Sequence, residues 1–332
     1  MNILLTLDYE LFFGPRTGSP EASILVPTNA LQKLANAKHV VLVFFVDVAY
    51  IAALRREMRK FAQLRKDHDL LCRNVEQLAR EGHEIQLHIH PHWEDCRWNG
   101  DSWQMDTRRY RLHDFEPHEI SRLVHSYVNV LKELAGADHA FAYRAGGWVI
   151  QPFVKLRDAM LAAGVRIDST VFPGGTANDD ARFFDFRAAP RFGHWRFEID
   201  PCQPHPGGSF LEVPISSVSV APSYFWRFAM HRTLESASSK AFGDGHAIGA
   251  GRFDMLKRLL TRTSTVVSMD GYKSTLLESG HQQYAAADAA EYVVMGHPKL
   301  LSRFSLERLE RFLTAPRTSH VVGYRHYLAQ LE

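Results

Sequence analysis

Cysteine is scarce in this chain: Cys72, Cys96 and Cys202 are the only three in 332 residues. They form no CxxC pair and their number is odd, which disfavours a disulfide framework and fits reduced thiols in a cytosolic protein. None is an obvious nucleophile. Long apolar runs are missing too, with no stretch near the roughly 18 residues of a membrane span. The N-terminus reads directly as a strand and reaches Asp8 at once, leaving no room for a basic segment, an apolar segment and a cleavage site. The expectation is a soluble, cytoplasmic protein. Surplus charge is also lacking: 39 Lys plus Arg face 37 Asp plus Glu, so nothing electrostatic points to a nucleic-acid partner. No repeat and no low-complexity segment is visible, and nothing fixes an oligomeric state.

What is present is enough apolar material for a full core, at 45% hydrophobic content, and an unusual 18 histidines. Three of them fall in five residues, His88-Ile89-His90-Pro91-His92, directly after the strand-like HEIQL. Neutral imidazole is a ready donor to zinc and similar divalent ions, so this is a metal-ligand density. A metal needs at least one more ligand. The best supplier is Asp8-Tyr9-Glu10, which ends the apolar strand NILLTL. Both clusters lie at the C-terminal ends of strands, the edge where parallel α/β folds build sites.

The rest of the chain alternates strand and helix signals. After NILLTLD come a helix that Thr28 can cap, the buried-strand run HVVLVFFVD, a helix from Val48 with a basic continuation, and a helix opened by Asp67 and closed by Gly82. From Trp93 to Phe115 periodicity vanishes. This aromatic insertion, residues 93–115, holds Trp93, Trp98 and Trp103 among Asp, Asn and Arg, suited either to stacking on a sugar or to packing the loop down. Pro117 then starts a long amphipathic helix that Gly136 ends, and HAFAYR leads into the turn Arg144-Ala145-Gly146-Gly147-Trp148. A helix from Pro152, the strand VRIDST with Asp168, the strand SFLEVPIS with Glu212, an aromatic helix at 224–232, the strand before His297-Pro298, a helix near Leu306, a strand at Val321 and a terminal helix complete the series. Seven or eight strand and helix pairs with no linker between them predict one α/β domain over residues 1–332, an irregular (β/α)7-8 barrel.

The ordered set LTLDYE, HIHPH, YRAGGW, IDST, LEVP and MGHP resembles the NodB-homology polysaccharide deacetylases, also called carbohydrate esterase family four. It is most similar to the branch whose first motif is Asp-x-Asp/Glu, which includes WbmS-type proteins encoded with O-antigen assembly enzymes. The resemblance implies a metal-dependent deacetylase of an N-acetylated saccharide, with a divalent metal, zinc by expectation. It also implies the roles: Asp8 the catalytic base, Glu10, His88 and His92 the metal ligands, Arg144 the partner of the base, and His297 the general acid. This chain departs from the pattern at Ile89, at Gly146 in place of a proline, and at the extra His90. Strand alternation would put His90 on the face of His88, making it a rival ligand if the strand runs on, whereas Pro91 argues for a break.

The chemistry suits the residue types. Amide hydrolysis needs a nucleophilic water, a polarised carbonyl and a proton for the leaving amine. Asp8 can take a proton while Arg144 keeps it ionised, and His297 can deliver one if a carboxylate raises its pKa, for which Asp168 is the candidate. Substrate contacts are expected from Trp93, Trp98, Trp103, Trp148 and Asp168. Two other readings stay open: a catalytically silent carbohydrate-binding protein, and a metal amidohydrolase acting on a non-carbohydrate amide.

Overall fold

The structure is a computed structural model that describes residues 1–14, 16–179, 182–233, 237–246, 258–315 and 320–331. Its centre is an eight-stranded sheet. In chain order the strands are β1 (Asn2–Tyr9), β2 (Val43–Asp47), β3 (Glu84–Ile89), β4 (Ala142–Ala145), β5 (Ile167–Asp168), β6 (Trp195–Phe197), β7 (Phe210–Glu212) and β8 (Glu291–Val294). They lie in the order β6-β7-β5-β4-β3-β2-β1-β8, every pairing parallel except β6 with β7. Strands buried on both faces read as unbroken apolar runs, which is why NILLTLDY and VFFVD were legible as strands.

The sheet curls into the irregular barrel predicted for the chain. Between β7 and β8 no regular ladder forms. Residues 213–216 bridge the gap instead, with the Ile215 N–H donating to Val171 O at 2.8 Å and the Ser216 N–H to Val293 O at 3.0 Å. Inside, Leu4, Val43, Phe45, Ala142, Ile167, Leu211 and Val293 form one apolar cluster, plugged from below by Tyr324 and Tyr327 of the last turn. Outside, the alternate residues meet the helices. The helix α1 (Val26–Lys38) is followed by α2 (Val48–Glu57), α3 (Leu64–Arg80) and α4 (Pro117–Ala135). In α4 the buried Ile120, Leu123, Val124, Tyr127, Val128 and Leu131 recur at helical spacing, Pro117 starts the first turn and Gly136, at φ +113°, ends the last.

Several expectations shift in detail: Thr28 does not cap α1 but lies inside it, its hydroxyl buried without a hydrogen-bond partner, and the terminal helix is a 3-10 turn, Tyr324–Gln330. The basic run continues α2 only through Arg55 and Arg56 to Glu57, where the helix stops, and α3 begins at Leu64, before Asp67. The segment 93–115 is not structureless: it carries a two-residue hairpin, Arg97–Trp98 against Trp103–Gln104, with two short 3-10 turns. The expected strand at Val321 is a single parallel bridge to Ile3. Among the described residues no helix is long and apolar enough to cross a membrane.

Candidate metal and acid–base site

Period-two alternation decides which side chains enter the barrel mouth. Along β1, Leu4, Thr6 and Asp8 share the inner face; along β3, Gln86 and His88 do, and β4 places Arg144 beside His88 in register. The strand β3 runs to Ile89 before Pro91 opens a 3-10 turn, Pro91–Glu94. The break therefore falls after His90, which keeps the face of His88. The Asp47 carboxylate at the end of β2 pins this exit, accepting from the His90 N–H at 3.3 Å and from the Trp93 indole N–H at 2.9 Å.

The residues brought together are Glu10, His88 and His90, each offering one ligand atom with all three atoms within 4.8 Å of one another. His88 Nδ1 donates to Arg144 O at 2.7 Å, which fixes the tautomer and leaves Nε2 facing Glu10 Oε2 at 3.0 Å. His90 Nε2 is 2.5 Å from the same Oε2 without hydrogen-bond geometry, and both His90 ring nitrogens are buried with no hydrogen-bond partner. A buried donor set of two imidazoles and a carboxylate, one ring orphaned, fits a divalent ion.

His92 is not in this group. The 3-10 turn stacks its ring on Tyr110 (centroids 5.5 Å apart) and on Trp93 (5.4 Å), 5.6 Å from the His90 ring, where burial and the neighbouring His90 hold its pKa well below the usual imidazole value; its two ring nitrogens, like those of His90, are buried with no hydrogen-bond partner. Gly146 makes the place that His90 takes. A Cβ there would lie 2.6 Å from Ile89 O and 2.7 Å from the His90 ring. The departure from proline at this position and the extra imidazole are thus one steric fact.

Arg144 is fully buried and spends its guanidinium on four acceptors. It donates from Nη1 to Asp8 Oδ1 at 2.7 Å, from Nε to Ser169 O at 2.8 Å, and from Nη2 to Thr6 Oγ1 at 2.9 Å and Ser169 Oγ at 3.1 Å. Burial alone would raise the pKa of Asp8; Arg144, His88 and His297 outweigh it and hold the carboxyl below its ordinary value. Glu10 is likewise held well below, against burial, by Lys299 and the two histidines. His88 is pushed up to about 9, since Asp8 and Glu10 overcome its burial.

His297 reaches the same centre from the end of β8, its Nε2 3.7 Å from both Asp8 Oδ2 and Glu10 Oε1. Its partner is Asp270, not Asp168. Asp270 accepts from His297 Nδ1 at 2.8 Å and from the His297 N–H at 2.7 Å, and it raises the imidazole pKa against burial. Asp168 instead accepts from the hydroxyl of Thr170 at 2.8 Å, which itself accepts from the Ala145 N–H. Buried, it also accepts from the Thr170 N–H at 3.0 Å. Lys299 is the second residue sequence reasoning missed: buried, it donates to Glu10 Oε1 at 2.8 Å and to Leu11 O at 2.5 Å, over the rings of Phe12 and Phe13. Its signal was its place two residues after His297.

The tryptophans divide. Trp93 is fully buried and Trp103 nearly so, packed on Tyr50 and on each other, with the half-buried Trp98 against Trp103. A ring without open surface cannot stack on a sugar, so packing wins for Trp93 and Trp103. Trp148 lines an open cavity.

No family model matches the chain, and no curated protein does. Among solved structures, the chain is similar to a Mycobacterium smegmatis protein assigned as a polysaccharide deacetylase, at 14% identity and a TM-score of 0.53, covering 99% of this chain and 89% of that one. A Pseudomonas aeruginosa protein assigned likewise matches at 15% identity, TM-score 0.43, over 99% of this chain and 90% of its own. A Bordetella bronchiseptica protein assigned as a polysaccharide deacetylase of O-antigen biosynthesis matches at 11%, TM-score 0.35, over 93% and 89%. The likeness to the first is one of fold. The chain has the fold of the polysaccharide deacetylases, a curled (β/α) barrel of the NodB type.

Proposed function

We propose that the chain is a metal-dependent hydrolase that removes the N-acetyl group from a saccharide. The observation that carries the reading is the convergence at one barrel mouth of a carboxylate paired with a buried arginine, an imidazole paired with a carboxylate that raises its pKa, and a candidate ligand set beside them. Glu10, His88 and His90 would hold the ion, zinc being a borderline cation suited to two imidazoles and one carboxylate. When bound, the ion supplies Lewis acidity toward the amide carbonyl and lowers the pKa of a water molecule.

The protein's own residues do the rest. Asp8, ionised and fixed by Arg144, accepts the proton of the attacking water. Arg144 itself commits four of its five guanidinium N–H donors to Asp8, Thr6 and Ser169. His297, protonated and aimed by Asp270, gives its Nε2 proton to the departing nitrogen, which cannot leave as an amide anion. The sugar, and a place in surface polysaccharide (O-antigen) synthesis, rest on the motif resemblance. A cytoplasmic setting is favoured by three buried free thiols. The second reading, a non-carbohydrate amide, gains from the burial of Trp93 and Trp103, which removes most of the expected aromatic platform. Acetate release from a panel of N-acetylated sugars and simple acetamides, with metal content measured in parallel, tests the proposal. Hydrolysis of acetamides alone would favour the second reading, and metal-independent hydrolysis would remove the ion from the account.

A further inference from the structure

Beside the site lies a cavity of about 150 Å³ that no step above uses. That is well below the roughly 300–1,000 Å³ of sites that enclose a whole drug-sized ligand, so it suits one substituent of a larger molecule. The chain joins its lining to both arms of the proposed centre. Trp148, on its wall, ends the turn that follows Arg144, and Lys273, also on its wall, sits in the turn that follows Asp270. The remaining walls include Phe184 and Phe225 with two more cations, Arg182 and Arg258.

The charge of this lining is one-sided. Arg182 is paired with Asp179 at 2.7 Å, but no carboxylate lines the cavity among the described residues, and there Arg258 has no ion-pair partner. Burial lowers the pKa of Lys273 from the ordinary lysine value; Asp270 opposes this and Arg258 adds to it. Two cations thus crowd each other at a partly desolvated wall, an arrangement that an anion between them would relieve. Trp148 contributes a donor: its indole Nε1 is buried with no hydrogen-bond partner. Its backbone sits at φ +61°, a left-handed conformation that is strained for a non-glycine residue. Strain retained at one aromatic residue facing a cavity is the kind that function maintains.

We infer that this cavity binds an anionic substituent, phosphate or carboxylate, of the saccharide, held by Arg258, Lys273 and the Trp148 indole N–H. The inference deepens the proposed function, and its test does not require deacetylation. Calorimetric titration of the full-length metal-loaded protein compares glucose 1-phosphate, glucuronic acid and neutral glucose, none of which carries an acetyl group. Either anion should bind at least about tenfold tighter than glucose, the margin of one charge-assisted hydrogen bond, and whichever binds more tightly identifies the group. Arg258→Gln and Lys273→Gln should each erase that margin while metal content stays unchanged. Arg258 is exposed, so its variant remains informative if the Lys273 variant does not fold. Equal binding of all three sugars, or a preference for the anions that survives Arg258→Gln, would overturn the inference. Loss of acetate release with the anion preference intact would overturn only the deacetylase reading.

Discussion

Gly146→Ala should disable the metal site without touching a ligand. The backbone at Gly146 is not in the left-handed region, so alanine meets no conformational penalty; its Cβ meets atoms. Ile89 O, 2.6 Å away, belongs to the end of β3 and cannot retreat, and the His90 ring, 2.7 Å away, can only rotate out of the group with Glu10 and His88. Overpacking of this kind costs about 1–3 kcal/mol. If turning His90 aside relieves it, the same energy is lost from metal affinity, roughly five- to 150-fold. Competition titration against a chromophoric chelator reads that loss directly, with His88→Ala and His90→Ala as references and His92→Ala expected to retain metal because its ring is stacked on Tyr110 and Trp93. Wild-type affinity in Gly146→Ala, together with metal loss in His92→Ala, would refute the assignment of His90 and restore His92 as the ligand.

Asp270→Asn should lower the pKa of His297. Because the acid works only while protonated, the basic limb of the pH–rate profile should move to lower pH with the acidic limb unmoved. Lys299→Met should destabilise the metal-free protein by about 3–5 kcal/mol by leaving the Glu10 carboxylate buried without its ammonium, read in urea denaturation near neutral pH. Glu10 is ionised above its depressed folded pKa, so that destabilisation should shrink as the pH falls through it. Trp93→Phe should cost about 1.5–3 kcal/mol of stability through the lost bond to Asp47, with saccharide affinity unchanged; weaker saccharide binding would return the ring to the substrate.

The barrel was legible because its strands are buried on both faces and spell themselves as apolar runs, and because motif residues recur where those runs end. Alternation put His88 and His90 on one face, yet the sequence alone left His90 and His92 as rivals: the choice depends on whether the chain turns before or after His90. Pro91 announces a turn without fixing that register. Asp270 stayed hidden because beyond Val266, where the strand Thr263–Val266 ends, its segment makes only an isolated bridge, Ser268 to Met295. Lys299 stayed hidden because its meaning lies in Glu10, far away along the chain. The tryptophans of 93–115 were ambiguous for a different reason. Stacking on a sugar and packing a loop demand the same residue, and only burial separates them.

Acetate release by the metal-loaded protein from N-acetylated saccharides, measured beside Asp8→Asn and His297→Ala of equal metal content, bears most directly on the proposed activity. The account predicts turnover in the wild type and a loss of roughly a hundredfold or more in each variant on an amide, with His297→Ala spared on an activated ester, which needs no leaving-group proton. Undiminished acetate release by either variant on the amide would contradict it.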